Sequence, residues 1–152
     1  MEASEIIKAF CEKVGVGFEP DADGSVTLDV DGATVIINDL REINAVALVG
    51  DLGEPQPERL DALYKLMLEA NHLFGGTAGA TISCNPKTGH FALCRVLPCV
   101  ALDGDFFFAE AERFVSTLES WTKIVREFRD APPTDDSPMM ASDAGSSGFI
   151  TV

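Results

Sequence analysis

The segment Val26-Thr27-Leu28-Asp29-Val30-Asp31-Gly32-Ala33-Thr34-Val35-Ile36-Ile37-Asn38 decides how the chain is read. Val26, Leu28 and Val30 alternate with Thr27 and Asp29, a period of two that turns one apolar face to a core. Asp31-Gly32 supplies the left-handed pair that a two-residue hairpin requires, and the run from Ala33 to Asn38 returns alongside. A β-hairpin is therefore expected here. Downstream, Ala45 to Val49 is apolar without alternation and partly β-branched, which predicts a third strand covered on both faces.

Upstream of the hairpin, Ile6, Ile7, Phe10, Cys11 and Val14 recur at helical spacing from Ser4 to Val14, and Gly15 and Gly17 close that helix. Beyond the third strand, Pro55 and Pro57 with Glu54 and Glu58 form a helix-start signal, and a helix is expected to run to about Phe74. Its apolar residues form two stripes, one of Leu60, Leu63, Tyr64, Met67 and Phe74, the other of Ala62, Leu66, Ala70 and Leu73. One sheet cannot cover both stripes, and a second copy of the chain is the simplest supplier of another surface. Homodimerisation through Ala62, Leu66, Ala70 and Leu73 is the expectation.

Gly75, Gly76 and Gly79 end that helix. A second hairpin follows, Ala80 to Cys84 and His90 to Leu97, joined through Asn85-Pro86-Lys87-Thr88-Gly89. Asp103 or Asp105 can cap a last helix, in which Phe107, Ala111, Phe114, Leu118, Trp121, Val125 and Phe128 repeat at steps of four and three. From Asp130 the chain is rich in Pro, Ser, Asp, Gly and Ala, carries acids but no base, and is expected to be disordered. The reading is thus α+β, a five-stranded, mostly antiparallel sheet with three helices in the order α-β-β-β-α-β-β-α. A domain over residues 1–129 and a tail over 130–152 complete it.

With 152 residues, 46% hydrophobic content and ten Phe, the chain can bury one sizeable core. Twenty-five acids against eleven bases give a net charge of −14, which repels nucleic acid and anionic membrane surfaces. The start lacks a basic leader region, and no apolar run approaches the roughly 20 residues that span a bilayer, so a cytoplasmic protein is expected. Cys11, Cys84, Cys94 and Cys99 lack CxxC pairing and read as reduced, mostly buried thiols. His72 and His90 are too isolated to pair with them as metal ligands or as nucleophile and base.

Gly75-Gly76-Thr77-Ala78-Gly79 is no phosphate loop, because a helix precedes it and a strand follows, with no lysine until Lys87. Asp21-Ala22-Asp23-Gly24 reads as a turn rather than part of a calcium loop. No catalytic residue, cofactor or metal is expected. Phe149 and Ile150 could form a short docking peptide at the end of the tail.

Leu66-Met67-Leu68-Glu69-Ala70-Asn71-His72-Leu73-Phe74-Gly75-Gly76 runs through Glu-Ala-Asn into a glycine-rich turn, and in this it resembles the Tir chaperone (CesT) family of class I type III secretion chaperones. Asn85 to Gly89 is similar to the family's hairpin turn, Arg95-Val96-Leu97-Pro98 to its Arg-Leu-Pro strand end, and Phe114 to Trp121 to its last helix. The resemblance covers residues 1 to 130 and is most specific between Leu66 and Pro98. It implies a homodimeric, non-catalytic chaperone that holds the N-terminal segment of a secreted effector in extended form for delivery to the secretion apparatus. Such binding needs apolar patches and open strand edges, and Ile6, Phe10, Val26, Leu28, Val35, Ile37, Phe91 and Leu93 are the candidate effector contacts. The alternation leaves open which sheet face is exposed, and residues of these types are more often core than binding residues. A structural or adaptor subunit of a larger assembly is the alternative.

Overall fold

The hairpin forms as its sequence dictates. In a computed structural model, which describes residues 1–55 and 58–130, β1 (Val26–Val30) pairs antiparallel with β2 (Ala33–Leu40), Val30 facing Ala33 across the turn. Asp31 (φ 51°) and Gly32 (φ 84°) both take the left-handed conformation, and the Gly32 N–H donates to the Asp29 carboxylate at 3.0 Å. β3 (Ala45–Gly53) continues the sheet, with Ile37 opposite Leu48 and Asp39 opposite Val46. Four consecutive β3 residues, Ala45 to Leu48, are buried, as a strand covered on both faces must be.

The remaining elements are α1 (Ala3–Val14), α2 (Leu60–Asn71), β4 (Thr81–Cys84), β5 (Phe91–Pro98) and α3 (Gly104–Asp130). The hydrogen-bonded strand order is β1-β2-β3-β5-β4, which leaves β1 and β4 as the edges. The expected order and number of helices and strands are all present. The acidic tail beyond Asp130, with Phe149 and Ile150, lies outside the described residues, as does Pro57 of the helix-start signal. No helix among the described residues is long and apolar enough to cross a membrane.

Of the described residues, Met1–Gly50 with Cys94–Ser116 forms one compact unit, and those of 51–93 with 117–130 form a second. In the first, α1 begins where the Glu2 N–H donates to the Glu5 carboxylate at 2.9 Å. It ends at left-handed Gly15, where the Val16 N–H reaches back to the Cys11 carbonyl. Ile6, Ile7 and Cys11 are fully buried, and the Phe10 ring meets Phe107 edge-on at 5.2 Å. Asp103 caps α3 through the Phe106 N–H at 2.7 Å, while Asp105 instead pairs with Lys13 at 2.8 Å. That settles which of the two aspartates is the cap.

The second unit is built on α2, which lies against β4. Asn71 clamps the strand from the helix end: its side chain donates to the Ile82 carbonyl and accepts from the Ile82 N–H at 3.1 and 2.9 Å. The helix starts at Leu60 rather than at the prolines, because Arg59 takes a left-handed φ of 63°, which no helix can run through. The Arg59 guanidinium sits 4.4 Å from the Phe128 ring centroid, a cation–π contact that holds the turn. All seven stripe residues of α3, from Phe107 to Phe128, are buried.

Candidate functional site

Among the described residues no strand pairs with the outer edge of β1, which is bordered by the loop that leaves α1. Val16, Gly17, Glu19, Pro20 and Asp21 form one wall of a cleft of about 420 Å³, and β1 itself forms the other. The turn closing the cleft is rigid for a reason visible in the sequence. Asp21 accepts from the N–H groups of Asp23 and Ser25 at 3.0 and 2.9 Å, Gly24 takes the positive φ, and Ser25 Oγ donates to Asn38 on β2 at 2.9 Å. Asp21-Ala22-Asp23-Gly24 is therefore a turn that anchors the start of the edge strand.

The apolar groups lining this cleft are Val16, which is 40% exposed, exposed Pro20, half-buried Leu28 and buried Val26. Glu19, Asp21 and Asp29 add carboxylates to its lining. On the outer face of the hairpin Thr27, Asp29, Thr34 and Ile36 are exposed, so the period of two places polar groups and one isoleucine beside the open main chain. Such a strand offers unpaired N–H and C=O groups with side-chain pockets alternating along it.

A second exposed surface lies on α2. Tyr64 and Leu68, one turn apart, stand out with Asp61, Lys65, Glu69 and His72 around a concavity of about 570 Å³. Leu68 is 71% exposed, and just beyond the helix Leu73 and Phe74 are also exposed. Both take positive φ, 52° and 57°, which unwinds the chain into the glycine-rich turn.

The sequence from residue 5 to residue 122 matches the model of the Tir chaperone protein (CesT) family. The chain belongs to that family. Among solved structures it is similar to a chain of the ExsC–ExsE complex, with a TM-score of 0.67 and 16% identity over 82% of this chain and 97% of that one. The ExoU–SpcU heterodimer of the type III secretion system of Pseudomonas aeruginosa gives 0.62 and 18%, covering 79% of this chain and 95% of the other. The HopA1–SchA chaperone–effector complex gives 0.62 and 17%, with 81% and 91% covered. No curated protein matches the sequence.

For this member of the CesT family the structure places the candidate effector contacts mostly in the core. Ile6, Phe10, Val26, Val35, Ile37, Phe91 and Leu93 are buried, and of the eight only half-buried Leu28 and buried Val26 line the β1 cleft. The reason is the register: Val26 and Leu28 share a face with Ile37 and Val35, and α1 contacts β2. Val16, Thr27 and Ile36 are the cleft-side or outer-face residues that the sequence reading passed over. The signal for Thr27 was its place in the polar half of the alternation.

Of the four candidate interface residues, Leu66 and Ala70 are buried on α2 with Leu63 and Met67, Ala62 is half-buried, and Leu73, just past the helix, is exposed. The buried set follows the i, i+3, i+4, i+7 rule and takes members from both expected stripes. Tyr64 and Leu68 are left on the opposite arc.

The thiols are divided between surface and core. Cys11 and Cys99 are buried, Cys94 is half-buried, and Cys84 is exposed at the second hairpin. Burial pushes the Cys11 and Cys99 thiols above their ordinary range, away from nucleophilic reactivity.

His90 links β5 to the end of β3. Its Nδ1 lies 2.9 Å from the Asp51 carboxylate and its Nε2 3.3 Å from that of Glu54. The hydrogen bond to Asp51, more than any other influence, raises the imidazole above its ordinary 6.5. A raised folded-state value means that the clasp contributes its stability fully below about pH 6.5 and loses it as pH rises through the folded value. Denaturation midpoints of the wild type and Asp51→Asn are therefore expected to differ more at pH 6 than at pH 8.5. A difference independent of pH would show that His90 does not titrate against Asp51.

Proposed function

We propose that the chain is a type III secretion chaperone that binds the N-terminal chaperone-binding segment of a secreted effector in extended form, keeping it soluble and secretion-competent in the bacterial cytoplasm. The observation that carries this reading is the free β1 edge beside its cleft. Five strand residues expose about 16 Å of main chain, enough to pair a short extended segment, and Val16 and Leu28 offer apolar contacts to alternate side chains of that segment. Membership of a chaperone family and the chaperone–effector complex among similar folds support it. The role is one of binding, with no reaction.

In this reading residues 1–129 form the chaperone domain, and two copies pair through the exposed arc of α2. Tyr64, Leu68, Leu73 and Phe74 are exposed apolar side chains set among polar ones within residues 64–74 of a strongly acidic chain, and exposed apolar patches mark association surfaces. A homodimer covers that arc with the same arc of its partner.

The test is capture of co-expressed effector N-terminal segments by wild type and by Val16→Asp. Val16 is exposed, so the substitution changes stability by no more than about 0.5 kcal/mol. A charge that a bound segment would have to bury, with Glu19, Asp21 and Asp29 around it, is expected to weaken capture by about tenfold or more. Equal capture by the two proteins would remove the β1 cleft from the account. Binding only to a folded partner would favour a structural subunit instead.

A further inference from the structure

Asp39, near the end of β2, is a buried carboxylate that the fold leaves half satisfied. Its side chain is 7% exposed, and Oδ2 receives only a long 3.4 Å contact from Nη2 of Arg41. Oδ1 is buried with no hydrogen-bond partner among the described residues. Native folds pair their buried carboxylates, since a stranded charged oxygen is costly. Arg41 serves poorly as that partner: its side chain is 67% exposed, and the same Nη2 also reaches for the Asp23 carbonyl at 3.4 Å.

Asp39 and Arg41 lie in a cavity of about 500 Å³ whose walls include Asp23, Glu42 and Ile43. Three acids thus face one base, and the exposed Ile43 offers an apolar side for an aliphatic stem. Space for the guanidinium exists because residue 24 is glycine. A Cβ there would stand 2.6 Å from Arg41 Nη2 and 3.4 Å from Asp39 Oδ2. Among the described residues no group of three or more acids, histidines or cysteines is spaced to hold a metal ion. A planar, extended cation that spreads its donors over several ångströms fits such carboxylates better than a point charge.

The turn from Asp21 to Ser25 separates this cavity from the β1 cleft, with Asp21 lining the cleft and Asp23 lining the cavity. A segment paired along β1 and continuing past that turn would run toward the cavity that Asp39 lines. The geometry points to the Asp39 cavity as a specificity pocket for a cationic side chain of the bound segment, arginine before lysine, with Arg41 holding the mouth until that side chain replaces it. This deepens the effector-binding reading and rests on it for the source of the arginine.

The test titrates N-acetyl-arginine N-methylamide, and its neutral isostere N-acetyl-citrulline N-methylamide, into the full chain while the backbone amide signals of Asp23, Asp39 and Glu42 are followed by NMR. In Arg41→Ala the arginine probe is expected to give saturable shifts, and the citrulline probe to bind at least about tenfold more weakly. Wild type is expected to bind the arginine probe more weakly than Arg41→Ala, because its own guanidinium competes. Adding Asp39→Asn to Arg41→Ala abolishes the response. If that double variant does not fold, the comparison of wild type with Arg41→Ala decides, and no gain in the variant overturns the proposal. Equal response to the two probes overturns it as well, as does a response to calcium chloride where the arginine probe gives none. Neither probe carries a strand to pair with β1, so failure here is distinct from failure to capture an effector segment.

Discussion

Glu110→Ala is expected to destabilise the fold by about 3 kcal/mol, measured as a shift of the urea transition at unchanged slope. Glu110 is one of the few buried charged side chains, and it accepts from Arg95 at 3.1 Å and from Arg113 at 3.0 Å. Arg95 is only 26% exposed, so deleting the carboxylate removes a charge-assisted bond from a largely desolvated guanidinium, the costly way to break a buried pair. Arg113 is 58% exposed and one turn away on the same helix, and its share is screened by water. Arg113→Ala should therefore cost no more than about 1 kcal/mol. If the two variants lose similar stability, the Arg95 contact is not the one that matters. The loss expected for Glu110→Ala is a large fraction of the roughly 5–15 kcal/mol that holds a domain together.

Trp121→Ala is expected to cost about 3–5 kcal/mol. The indole is almost wholly buried in the second unit, and its Nε1–H donates to the Gly76 carbonyl at 2.8 Å. That bond ties the last helix to the glycine-rich turn after α2, where the Gly76 N–H in turn reaches the Ala70 carbonyl at 2.9 Å. Trp121→Phe separates the two contributions: it keeps most of the ring burial but strands the carbonyl, for about 1–3 kcal/mol. Circular dichroism is the right probe, because Trp121 is the sole tryptophan and the variants lose the fluorescence signal. A Trp121→Phe protein as stable as wild type would mean that water satisfies Gly76 equally well.

The parts of the fold that were legible in the sequence are those settled within a few residues. Asp31-Gly32 demands left-handed dihedrals that few other pairs adopt, so the first hairpin was plain. The α3 stripe from Phe107 to Phe128 reads on its own because seven apolar residues in succession keep the same alternation of steps of four and three. The start of α2 was not legible: Arg59 adopts a left-handed conformation against its local preference, held by the Phe128 ring far along the chain.

The candidate site was legible as a class of surface and not residue by residue. Alternation in β1 and β2 establishes that two faces exist, yet only the packing of α1 on β2 decides that Val26, Val35 and Ile37 point inward. On α2 both apolar stripes were visible, but Leu66 and Ala70 joined Leu63 and Met67 in the core, because a helix against β4 buries one continuous arc. Asp39 carried no local signal at all. Its burial follows from the β2–β3 register, which sets it opposite Val46.

The measurement that tests the account most directly is the light-scattering mass of the purified protein, alone and after co-expression with effector N-terminal segments. The account predicts a particle of about twice the 16.2 kDa chain mass when alone, and the same dimer carrying a captured segment after co-expression. A monomer that captures none would contradict both the α2 interface and the β1 edge as an effector site.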